Sequence, residues 1–88
     1  MLFISLAKRK KKLTKESVAQ STKLMEQMAK EGIKNLGQYW TLGRYDAVTI
    51  LEAKDEKAIL RALLRWEDLL SVDTLVAIPR EEAVKLVE

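Results

Sequence analysis

An α+β fold built on one antiparallel sheet is what this sequence predicts, and three observations carry the prediction. Apolar stretches within residues 2–7, 33–42, 44–53 and 72–78 have the length and the β-branched or aromatic content of strands. Amphipathic stretches at helical spacing separate the first from the second and the third from the fourth. The middle two meet at Tyr39-Trp40-Thr41-Leu42-Gly43-Arg44-Tyr45-Asp46, which reads as a tight β-hairpin tip with Gly43 supplying the positive φ of the turn.

Each element has its own justification. Leu2, Ile4 and Leu6 alternate with Phe3, Ser5 and Ala7, the pattern of a strand covered on both sides. Lys8, Arg9, Lys10, Lys11 and Lys12 then read as a solvated loop kept extended by self-repulsion. Thr14 is placed to cap a helix of four to five turns, with Leu13 and Val18 as a hydrophobic staple. Its inner stripe is Val18, Ser21, Thr22, Met25, Met28 and Ala29, and Gly32 stands where a left-handed residue ends it. The arm from Ala47 to Leu51 is apolar on both faces and reads as a central strand. Asp55 caps a second helix over residues 56–68, with Ile59, Ala62, Leu63 and Trp66 inward. Leu60 and Leu64 fall on another side of that helix. They are candidates for an outer contact between assemblies, or scattered surface leucines. A last strand stops at Pro79, and residues 81–87 suit a short terminal helix.

This β-α-β-β-α-β order with a helical tail is the ferredoxin-like arrangement, a four-stranded antiparallel sheet with both helices on one face. All four strands carry apolar residues on both sides, so the uncovered face calls for a partner. A homodimer packing sheet against sheet is the simplest one.

Composition narrows the function. Eighty-eight residues make one domain, 1–88, with a thin stability margin of its own. The absence of cysteine and histidine excludes disulfides, thiolate nucleophiles, the catalytic triads that need histidine and the common zinc or haem sites. Neither a metal nor a cofactor is expected. The net charge of +3 resides in the basic run: without its five cations, eleven basic residues face thirteen acidic ones, or −2. Nucleic acid binding through that run is an alternative that lacks interleaved aromatics, so stacking platforms are missing. The apolar start precedes its charges, which does not suit a signal peptide, and is too short to span a bilayer. The expectation is a soluble cytoplasmic protein without membrane contact.

At the hairpin the sequence resembles the GYD-domain family, through Gly43, Tyr45 and Asp46 within the eight residues above. The likeness continues through "ILEAKDEKAI" and the terminal "IPREEAVKLV". The resemblance implies the dimeric α+β barrel fold. By analogy with neighbouring groups of such barrels it implies a cofactor-free oxygenase, an isomerase or a small-molecule-binding protein. The basic run is not part of that pattern.

Two readings of the hairpin stay open. As a ligand site, Tyr39, Trp40 and Tyr45 line a pocket, Arg44 binds an anionic or enol-like group, and Asp46 or Tyr45 moves a proton. As structure, Arg44 and Asp46, two apart on a strand, form a pair that pins the hairpin, or Asp46 bonds to backbone amides, and the aromatics pack across strands. Met25 and Met28 face the same interior and form a deformable wall or ordinary core. The leading expectation is a homodimer binding a small, partly apolar metabolite beside the hairpin. The alternative is a cofactor-free enzyme.

Overall fold

The computed structural model describes residues 1–87. Its elements run β1 (Leu2–Arg9), α1 (Lys15–Lys30), β2 (Lys34–Trp40), β3 (Ala47–Glu52), α2 (Glu56–Leu64), β4 (Leu70–Ala77) and α3 (Arg80–Ala83), with a 3-10 turn over Val84–Val87. The strands form one antiparallel sheet in the order β2-β3-β1-β4, so the ferredoxin-like β-α-β-β-α-β arrangement is the fold of the chain.

Strand alternation sorts the two faces of the sheet. Phe3, Ser5 and Ala7 are buried, while Leu2, Ile4 and Leu6 between them are only half-buried. Phe3 pairs with Leu51, and both join Met28, Ile33, Ile59, Ala62 and Trp66 in the core under the helices. On the opposite face Ile4 lies between Ile50 and Leu75, and Leu6 pairs with Val48. Leu75 there is 50% exposed, so the second face is apolar and uncovered by any described element of the chain.

The helices start where their caps dictate. Thr14 Oγ1 accepts from the Ser17 amide at 3.0 Å while Ser17 Oγ accepts from the Thr14 amide at 2.9 Å, a reciprocal box that satisfies two end donors. Asp55 Oδ1 accepts from the Ala58 amide at 2.9 Å and begins α2. Gly32 takes φ 86° and turns the chain from α1 toward β2. The helix ends are tied together by Glu31 and Arg65, whose Nη2 donates to Oε2 at 2.7 Å beside a second contact between Nη1 and Oε1. That bond holds the Glu31 carboxyl below its usual range and raises the Arg65 guanidinium.

Several boundaries differ from the sequence expectation, each for a physical reason. The first two residues of the basic run, Lys8 and Arg9, belong to β1 because β4 supplies ladder partners for them in Ser71 and Leu70. α2 stops at Leu64 rather than at residue 68. Tight turns there, with the Trp66 amide bonded to Leu63 and the Leu69 amide to Trp66, fold Trp66 and Leu69 into the core. Leu24, outside the expected stripe of α1, packs against that core. The hairpin is a six-residue connection rather than a tight tip. The Thr41 amide donates to the Asp46 carbonyl at 2.9 Å, Thr41 Oγ1 donates to the Tyr45 carbonyl at 2.7 Å, and Gly43 has φ 102°. Arg44 and Asp46 therefore lie on a loop and not on a strand. Leu60 and Leu64 stand exposed on α2, at 59% and 55%.

Candidate functional site

A concave pocket lies between the sheet and the helices. A cavity of about 120 Å³ is walled by Met25, Met28, Leu63 and Trp66 above and by Leu51 and Val72 of the sheet below. Its polar contributions are Ser5, Thr49, Asn35 and Gln38. Ser5 Oγ shares a 3.4 Å bond with Thr74 Oγ1 across strands β1 and β4.

A β-bulge in β2 explains how Asn35 and Gln38 come to face the same side. Asn35 pairs with Leu51 and Gln38 with Thr49, both on the helix side of β3, because the register shifts between Asn35 and Gly37. Uninterrupted alternation would put residues three apart on opposite faces. Asn35 Oδ1 accepts from the Gly37 amide at 3.1 Å, which holds the bulge, and Asn35 Nδ2 donates to Gln38 Oε1 at 3.4 Å. Two primary amides are thus presented to a space otherwise dominated by apolar side chains, an arrangement that can hold an apolar body and orient a polar group.

The residues singled out from the sequence are not gathered at this cavity. Tyr39 pairs with Val48 and projects from the open face, where its ring lies over Gly37, so that a Cβ on Gly37 would stand 3.1 Å from it. Trp40 pairs with Ala47 on the helix side and lines a second cleft beside the cavity. Arg44 and Tyr45 border a third depression, of about 210 Å³, with Lys8, Ser71 and Asp73. The Arg44 guanidinium sits 5.7 Å from the Tyr45 ring centroid. Tyr45 Oη donates to Asp73 Oδ2 at 2.8 Å, and that bond to a carboxylate raises the phenol above its usual value.

Asp46 turns to Arg9 instead of Arg44. Its Oδ2 accepts from the Arg9 amide at 2.8 Å, its Oδ1 lies 3.7 Å from Arg9 Nη2, and its own amide donates to the Ala7 carbonyl. This clamp fixes the hairpin against the end of β1. Met25 and Met28 do wall the cavity, as the helical stripe implied. Asn35, Gln38 and Thr49 were not found from the sequence, although a glycine inside a strand pattern, Gly37, was the signal for the bulge that turns the first two inward.

Among the described residues no cluster of three or more His, Cys, Asp or Glu side chains could hold a metal ion. No described helix is long and apolar enough to cross a membrane. No curated protein matches the chain. The GYD domain matches it over residues 1–87, as the hairpin motif and the fold both lead one to expect, and the chain belongs to the GYD-domain family.

Proposed function

We propose that this chain binds a small, partly apolar molecule between its sheet and its helices and works as a homodimer through the open face of the sheet. The observation that carries the binding reading is the cavity itself. A cleft of about 120 Å³, open on one side, has room for a molecule larger than a single water. A ligand with an apolar body and one or two hydrogen-bonding groups fits walls of Met, Leu and Trp with amides at one side. Neither Asp46 nor Tyr45 borders the cavity, which favours binding over proton transfer by either of them.

The test uses octan-1-ol as an apolar probe and the fluorescence of Trp66, which walls the cavity. The expected result is a saturable change at one probe per chain. Ala29→Phe, which narrows the cavity from an exposed helix position without adding a tryptophan, is expected to weaken it at least about tenfold with unchanged circular dichroism, a loss equivalent to ~1.4 kcal/mol. A response that never saturates, or one that Ala29→Phe leaves intact, would refute the reading.

A further inference from the structure

We propose that the ligand is an amphipathic carboxylate whose acid group sits at Lys11 and Arg9 and whose apolar part occupies the cavity. The proposal rests on the binding reading above and adds the chemical class of the molecule. A second cleft of about 80 Å³ runs beside the cavity, and Gln38, Ala47, Trp66 and Leu70 line both. We take the two clefts, which meet at these side chains, as adjoining parts of one depression along the helix side of the sheet. Its outer part carries Arg9 and Lys11, and neither lining includes an acidic residue.

The charges at this end differ in how far they are already engaged. Arg9 has Asp46 against its backbone amide and 3.7 Å from Nη2, so that cation is largely balanced. Lys10 directs its ammonium to the Glu67 carbonyl at 2.8 Å. Lys11 takes part in no ion pair among the described residues. One uncompensated cation at the outer end of an apolar cleft matches one negative charge on an apolar body. The match also gives part of the basic run a use that the sequence pattern left unassigned. An ammonium near the surface adds selectivity of a modest size, because water and salt screen it.

The experiment compares octanoate with octan-1-ol, two probes of equal chain length that differ in the charged group, on the full chain at low ionic strength and neutral pH. Tryptophan fluorescence reports binding. Octanoate is expected to bind roughly threefold more tightly than the alcohol, in line with an exposed ion pair worth under about 1 kcal/mol. Lys11→Glu, at an exposed position that leaves the core untouched, is expected to abolish or invert that preference. Equal affinities for the two probes in the unaltered chain would overturn the carboxylate assignment while leaving the cavity as a binding site. A preference that survives Lys11→Glu would also overturn it, by placing the acid group elsewhere. Saturable binding of neither probe would instead overturn the underlying binding reading.

Discussion

Tyr45 shows how a motif residue can be fixed by a partner far along the chain. Its phenol is bonded to Asp73, 28 positions away, which ties the hairpin connection to β4. The carboxylate acceptor favours the protonated phenol, burial adds to the effect, and the nearby Arg44 opposes it weakly. A pKa raised on folding contributes stability that is complete below the ordinary value of 10.0 and is lost as the pH rises through the raised one. In a Tyr39→Phe background, which leaves a single tyrosine, tyrosinate absorbance should therefore titrate above 10.0. Asp73→Asn should move that titration down toward 10.0. An unchanged titration in Asp73→Asn would show that the carboxylate is not the cause. Asp46 has its own clamp on Arg9, so two of the three motif residues act as fasteners, and Gly43 supplies the positive φ between them.

At the scale of elements, caps and periodicity determined most of what could be read in advance. Thr14, Asp55 and Gly32 lie at helix ends where their side chains or backbone freedom are needed. Asp55→Ala removes the acceptor for the Ala58 amide and is expected to cost about 1 kcal/mol, or roughly 4–8 °C in Tm for a domain of this size. Thermal unfolding followed by circular dichroism measures it, and a shift below about 1 °C would mean that α2 does not depend on this cap. The inner stripe of α2 was legible in Ile59 and Ala62, and that of α1 only in part: Met28 is buried and Met25 half-buried, whereas Val18, Thr22 and Ala29 of the expected stripe are exposed. The faces of β2 were not. A single bulge at Leu36, between Asn35 and Gly37, shifts the side chains before it relative to the rest, so Asn35 and Gln38 share a face that alternation denies them. The pairing of Arg44 with Asp46 failed for a related reason. It assumed strand geometry across six residues that form a loop.

The whole molecule poses the question of what covers its sheet. Ile4, Leu6, Val48, Ile50 and Leu75 form contiguous rows on the face opposite the helices, and none of them is buried. A single small domain that leaves such a face to water forgoes stabilisation of about 25 cal/mol for each Å² of apolar surface that could be covered. Two-fold pairing of this face is the account offered here, and Ile4 stands at its middle between Ile50 and Leu75. Light scattering should show a dimer for the natural chain and a monomer for Ile4→Lys. A monomer in both cases, or a dimer in both, would refute pairing through the sheet. Pairing there would leave the helix side of the sheet free, so the proposed ligand cleft would stay open in each subunit.

The proposed binding site is tested most directly by locating a bound probe. Crystals soaked with 8-bromooctan-1-ol would reveal the bromine by its anomalous scattering, independently of any fluorescence change. The account predicts a peak inside the cavity, between Met25, Met28 and Leu63 on the helices and Leu51 on the sheet. A peak confined to another surface, with the cavity empty at full occupancy elsewhere, would contradict it.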